Sequence, residues 1–199
     1  ARAGKTELAK TITIGIINNP KVNEETKAIM QEVLLKIDIL EDEFKEGRTR
    51  GKEVLNNKHV SDETKRKIKI KLITIEMIEK NFDQAKELAY EVLEEEGLTR
   101  EEEIRVRGQL IEIAIREGNY ELAINRALEL LRCDDISKKT EGIIASRLYR
   151  MYSTQKRYKA ARTVSKINLR ENSRLNMIEL LERDLSKTDN DKEKMRRLA

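Results

Sequence analysis

A recurrence at 38 residues most strongly limits the architecture available to this chain. Self-similarity at one fixed spacing is the signature of a protein built from stacked structural repeats. An aromatic series and two leucine series follow this spacing: Phe44, Phe82, Tyr120 and Tyr158; Leu34, Leu72, Leu110 and Leu148; Leu55, Leu93, Leu131 and Leu169. Two series of small residues follow it too: Gly47, Ala85, Ala123 and Ala161; Gly51, Ala89, Ala127 and Ser165.

Each repeat is predicted to contain two helices, A and B. Helix A is expected to begin after a residue whose side chain can cap free backbone N–H groups, namely Asn23, Ser61, Thr99 or Ser137. It should end near position 41, 79, 117 or 155, and its apolar residues recur at i, i+4 and i+7, which is one helical face. The four stripes are Met30, Leu34 and Ile37; Ile68, Leu72 and Ile75; Val106, Leu110 and Ile113; Ile144, Leu148 and Met151.

The small residues of helix B explain how the two helices could pack. Ala123 and Ala127 lie one turn apart and would let helix B approach helix A closely, while the aromatic Tyr120 fills the space where the helices diverge. A larger side chain at either alanine would overpack the pair. Because one repeat cannot bury both of its faces, stacked antiparallel helix pairs are predicted to form an all-α solenoid.

The predicted division of the chain into repeats follows the same spacing of 38 residues. Residues 1–22 would be a truncated repeat, consisting of a helix B and a link, so we expect the chain to begin inside a repeat. Four repeats follow at 23–60, 61–98, 99–136 and 137–174, and a C-terminal capping helix with a polar tail occupies 175–199. A helix is expected over 173–187, and a short, basic last helix over 189–199.

Composition bounds the functional classes. The chain is 38% hydrophobic and 39% charged, which suits an elongated helical protein. Its formal net charge of +4 comes from nearly balanced charges and is weak evidence for nucleic acid. The single Cys133 cannot form an internal disulfide, and no apolar run approaches the roughly 18 residues that span a bilayer. These features predict a soluble cytoplasmic protein without a membrane partner.

The segment "LIEIAIREGNYELAINRAL", from Leu110 to Leu128, resembles the tetratricopeptide-repeat (TPR) family. The residues that carry the likeness are Leu110, Gly118, Tyr120, Ala123 and Ala127. The period of 38 differs from the family's usual length of about 34 residues, and the usual tryptophan and closing proline are missing. HEAT-type arrays and proteasome-lid-like subunits therefore stay open as alternatives.

The resemblance implies a TPR-like right-handed superhelix whose concave surface, lined by A helices, holds a peptide or a partner's helix. In that geometry, three positions of each helix A face the concave side. They supply six basic residues and one acid, and they predict a groove for an acidic partner. The candidate partner-binding residues are Lys36, Lys67, Lys71, Arg105, Gln109, Arg147 and Arg150.

Other constellations indicate no catalysis. The segment "AGKT", Ala3 to Thr6, is similar to the end of a phosphate-binding loop but lacks the earlier glycine and the preceding strand. His59 has no evident nucleophile beside it and Cys133 no ligand cluster, so we predict no cofactor and no metal. Tyr149 and Tyr152 are expected to form an exposed pair that contacts a partner or covers the next repeat.

The sequence thus predicts a non-enzymatic scaffold that binds another protein or peptide through a basic concave groove. The alternative is a peptide-sensing regulatory module of a larger signalling or transcription-regulating protein. An RNA-binding helical array ranks third, since the few aromatic residues provide little for base stacking.

Overall fold

The computed structural model describes residues 2–133, 135–165 and 177–187. Within these ranges the chain forms ten helices and no strand, which confirms the all-α prediction. The helices are α1 (Arg2–Ile17), α2 (Glu24–Leu40), α3 (Phe44–Asn56), α4 (Asp62–Ile78), α5 (Phe82–Glu94), α6 (Arg100–Arg116), α7 (Tyr120–Leu131), α8 (Lys138–Thr154), α9 (Tyr158–Ser165) and α10 (177–187). The chain divides into two compact units, residues 1–113 and 114–199, which are treated separately below.

The predicted A helices are α2, α4, α6 and α8, each 17 residues long and each starting 38 residues after the one before. The expected caps begin them. Asn23 Oδ1 accepts from the backbone N–H of Thr26 at 2.8 Å, and Ser61 and Ser137 act in the same way. Thr99 and Glu102 form a reciprocal capping box, with the Thr99 N–H donating to Glu102 at 3.0 Å.

The turn that ends each A helix also recurs. Asp42, Lys80, Gly118 and Lys156 all have positive φ, between 59° and 77°. The next residue donates its N–H back to a carbonyl five positions earlier, as in Glu43 to Asp38 at 2.8 Å and Asn81 to Glu76 at 2.8 Å. This is a Schellman motif, which satisfies the last carbonyl groups of the helix. Only one of the four repeats places glycine at the left-handed position.

In the first unit, small residues of the B helices lie against the A helices. A Cβ on Gly47 would lie 2.9 Å from both Leu35 and Ile75, so this glycine permits close approach to α2 and α4. Ala85 and Ala89 of α5 are fully buried in a cluster with residues of α4 and α6. Consecutive helices α1 to α5 contact one another, and α2 also contacts α4.

Ion pairs in the first unit recur at the same spacing of 38 residues as the apolar contacts. Lys10 of α1 pairs with Glu41 at 2.9 Å, and the equivalent residues 38 positions later, Arg48 and Glu79, also pair. Arg48 additionally donates to the buried carboxylate of Glu76 at 2.6 Å. Each pair joins a B helix to the end of the A helix that follows it.

The second unit buries the predicted stripe of α8 and the predicted small and leucine positions of α7. Ala123, Ala127 and Leu131 of α7 are buried, as are Leu148 and Met151 of α8. Helices α7 and α9 both contact α8. The second series of small residues differs in its last member: Ser165 is exposed at the end of α9, whereas Gly51, Ala89 and Ala127 are buried.

The C-terminal part is described in part. Helix α10 buries Met177, Ile178 and Leu181. Arg157, the residue before α9, donates to Asp184 of α10 at 2.5 Å. The helix predicted to begin at 173 is described from 177 onward. Leu169 and the short helix predicted over 189–199 lie outside the described residues.

Candidate functional site

Three of the seven predicted site residues line one cavity of about 310 Å³ in the first unit. Lys67 and Lys71 come from α4 and Arg105 comes from α6. Four carboxylates share the lining with them, and Ile70 and Thr99 complete it. The carboxylates belong to Glu32, Glu63, Glu101 and Glu102.

The repeat explains why these cations lie together. Lys67 and Arg105 are 38 residues apart, so they occupy equivalent positions on α4 and α6, and Lys71 lies one turn after Lys67. Capping by Ser61 and by Thr99 starts the two helices at equivalent residues, which fixes this register.

Each cation of the cavity already has a carboxylate beside it. Lys67 Nζ lies 2.5 Å from Glu63 Oε1, and this hydrogen bond raises the pKa of Lys67. Arg105 Nη2 lies 3.6 Å from Glu101 Oε1. Both are pairs between residues four apart on one helix.

The solvent exposure of these ion pairs decides whether a charged ligand can replace one of the partners. The side chains of Lys67 and Arg105 are 42% and 56% exposed. Pairs of this kind contribute roughly 0.3–0.5 kcal/mol, so an incoming charged group can replace either partner at little cost. Lys71 pairs with Glu32 of α2 at 3.1 Å and is only 18% exposed, so its partner is harder to exchange.

Glu102 is the least accessible charged residue of the wall. Its Oε2 accepts from the backbone N–H and hydroxyl of Thr99 and from Arg66 Nε at 3.1 Å, while its buried Oε1 has no hydrogen-bond partner. Burial alone would raise the pKa of Glu102, but these hydrogen bonds outweigh it and hold the pKa below its usual value. The carboxylate is therefore ionised at neutral pH.

Two further predicted residues of the first unit lie elsewhere. Gln109 Nε2 donates to the Ile70 carbonyl at 3.1 Å and to Thr74 Oγ1 at 3.0 Å, so it braces α6 against α4. Lys36 is exposed on α2 and does not line the cavity.

The last two predicted residues belong to the second unit. Arg147 and Arg150 line a shallow depression of about 390 Å³ along one face of α8, together with Lys139 and Ile143. Ile143 is 47% exposed there. The structure thus brings three of the seven residues into one cavity and two into another.

The charges predicted for the groove from sequence do not include the carboxylates that line this cavity. Glu63 and Glu101 lie four residues before Lys67 and Arg105, one turn nearer the helix start. Acid–base pairs at this spacing face each other on a helix, and that pattern could have identified them.

The expectation of an exposed tyrosine pair is wrong. Tyr149 is 46% exposed, but Tyr152 is fully buried, with the Arg157 guanidinium 5.1 Å from its ring centre. Burial raises the pKa of the Tyr152 hydroxyl. Tyr152 occupies the position in its repeat that Asp38 and Glu76 occupy in earlier repeats, and those two side chains are buried as well.

The remaining candidate residues lie in ordinary surroundings. His59 is exposed in a link, where its backbone N–H donates to Asn57 at 2.9 Å, and Cys133 is half-buried. Residues 3–6 lie within α1. No group of three or more His, Cys, Asp or Glu in the described ranges could hold a metal ion.

None of the helices in the part of the chain that the structure describes combines the length and the apolar character needed to cross a membrane. Comparison of the chain with protein-family models, with curated proteins and with solved structures gives no match.

Proposed function

We propose that this protein is a non-enzymatic interaction scaffold. Its helix pairs stack into a TPR-like solenoid, and the A helices of the first unit hold a carboxylate-bearing peptide or partner helix. The cavity that joins Lys67 and Lys71 of α4 to Arg105 of α6 carries this proposal, because two successive repeats contribute cations to one concave site. The lone, half-buried Cys133 is consistent with a reducing compartment such as the cytoplasm.

The cavity has properties that suit a partner surface. Its volume of about 310 Å³ lies at the lower end of the range for ligand sites, so it can accept a few side chains of a docked segment. Lys67 and Arg105 can exchange their weak pairs for a partner's carboxylates. Charges of this kind mainly speed the encounter, so binding should weaken as salt is added.

A peptide titration tests the proposal. The probes are fluorescein-labelled alanine-based peptides of about 16 residues, long enough to form helix, that carry glutamates alone, lysines alone, or both. We expect at least one glutamate-bearing peptide to bind the full chain, with an anisotropy change that fades at high salt. Replacing Lys67 and Arg105 together by glutamine should weaken that binding about fivefold, because two exposed ion pairs are lost.

The matched control replaces Lys45 and Lys52, two exposed lysines of α3, by glutamine. This variant removes two positive charges from a B helix and should leave the affinity within about twofold of the original. Binding that fell equally in both variants would reflect net charge and not the cavity. If no glutamate-bearing peptide bound at any salt concentration, the proposed function would be wrong.

A further inference from the structure

The charges of the cavity form two rows. Glu63 and Glu101 occupy equivalent positions in the first turns of α4 and α6, and Lys67 and Arg105 follow each of them by four residues. Four residues of helix correspond to about 6 Å along the axis. The wall therefore presents an acidic row beside a basic row, repeated on two successive A helices.

The lining is not basic overall. Its three cations face four carboxylates, which gives a formal charge of one negative. Glu102 cannot relieve this charge by taking up a proton, because its carboxylate is held by Thr99 and Arg66. A uniformly acidic segment would bring its own carboxylates next to these groups, and like charges brought close together oppose binding.

We propose that the cavity recognises a dipolar partner helix, one that carries a carboxylate and an ammonium or guanidinium group four residues apart on one face. This inference rests on the proposed function and narrows its partner. The carboxylate of the helix faces Lys67 or Arg105, and its cation faces Glu63 or Glu101.

Exchange of ion pairs explains the preference. A dipolar helix that opens the Lys67–Glu63 pair provides a new partner for each side chain, so the pair within α4 and the pair within the partner helix are exchanged for two pairs between the helices. A purely acidic helix provides a partner for Lys67 only and leaves Glu63 facing a second negative charge. Glu63 and Glu101 can make the exchange because their side chains are 63% and 87% exposed.

A helix matches the spacing of the two rows. Residues four apart on a partner helix lie one above the other on the same face, at the same separation of about 6 Å. The order of acid and base along the partner determines whether it docks parallel or antiparallel to the A helices.

The test compares three helical peptides of about 16 residues on the full chain. One carries glutamate and lysine four residues apart on one face, one carries only glutamate, and one carries only lysine. We expect the dipolar peptide to bind about fivefold more tightly than either the glutamate peptide or the lysine peptide, because each peptide of a single charge satisfies only one of the two rows and places like charges beside the other.

A pair of variants assigns that preference to the acidic row. Replacing Glu63 and Glu101 by glutamine should strengthen binding of the glutamate peptide and weaken binding of the dipolar peptide, so that their order reverses. The control replaces Glu46 and Glu87, exposed acids of α3 and α5, by glutamine and should preserve the order. Thermal melts of both variants verify that each is folded.

The outcomes separate the two proposals. A glutamate peptide that binds at least as tightly as the dipolar one would overturn the dipolar preference and leave the scaffold function standing. An unchanged order in the Glu63 and Glu101 variant would do the same. Absence of binding by every glutamate-bearing peptide would overturn the scaffold function, and the dipolar preference with it.

Discussion

Replacing Gly51 by alanine should lower the stability of the first unit, although alanine is the better helix former. Gly51 lies within α3, and an added Cβ would stand 2.8, 3.0 and 3.2 Å from three carbon atoms of the Leu72 side chain. Leu72 is only 6% exposed, so it must move within a packed core. Inserting a methyl group into such a core costs about 1–3 kcal/mol.

Helix propensity opposes this cost. Alanine is favoured over glycine in a helix interior by about 1 kcal/mol, so the net loss at Gly51 should be about 0–2 kcal/mol. Gly108, inside α6, provides the control, because a Cβ there would have no atom within 4 Å. Gly108→Ala should gain about 1 kcal/mol. The difference between the two variants therefore isolates the packing cost of about 1–3 kcal/mol.

Urea denaturation followed by far-ultraviolet circular dichroism measures both variants against the original chain. With the slope unchanged, the shift in the midpoint reports the change in the free energy of unfolding. Replacing Leu72 by alanine should remove the clash, so that Gly51→Ala becomes stabilising in that background. If Gly51→Ala stabilised the original chain as much as Gly108→Ala does, the close packing of α3 on α4 would be refuted.

Two further predictions concern the turns and the buried charges. Lys80→Gly should raise the free energy of unfolding by about 1 kcal/mol and Gly118→Ala should lower it by about 1 kcal/mol, because both positions have left-handed backbone; equal effects of the same sign in urea denaturation would contradict this. Glu76→Gln should lower it by about 1.5 kcal/mol at neutral pH, since Arg48 loses the buried carboxylate while keeping its pair with Glu79. The Arg48 hydrogen bond holds the pKa of Glu76 below 4.5, so the difference from the original chain should persist above pH 4.5 and disappear as the pH falls through that lowered value. A difference that stayed constant down to acid unfolding would show that the charge of Glu76 contributes nothing.

The helices could be predicted from sequence because their boundaries depend on local signals. Ser61 and Ser137 cap A helices through their own side chains, and small residues such as Ala85 are buried where the period places them. These features depend on residue type at one position and on a spacing that repeats, and both can be read directly from the chain.

The site was harder to predict because its charges depend on side-chain reach. Gln109 was placed in the groove, but its long side chain reaches α4 and braces two helices. The three face positions chosen for each helix also omitted Glu63 and Glu101, which lie one turn away and neutralise their neighbours. Tyr152 was misread because a spacing of three residues between tyrosines does not specify which side of the helix is buried.

Zero-length cross-linking tests the central claim most directly. A carbodiimide joins a carboxylate to a lysine ammonium only where the two are in contact, and mass spectrometry then identifies the lysine that is joined to the peptide. With the dipolar helical peptide bound to the full chain at low salt, we predict that its glutamate becomes linked to Lys67, and less often to Lys71, which Glu32 holds. Links distributed among exposed lysines of other helices, such as Lys45 and Lys52, in the same yield as at Lys67 would contradict the assignment of this cavity as the partner site.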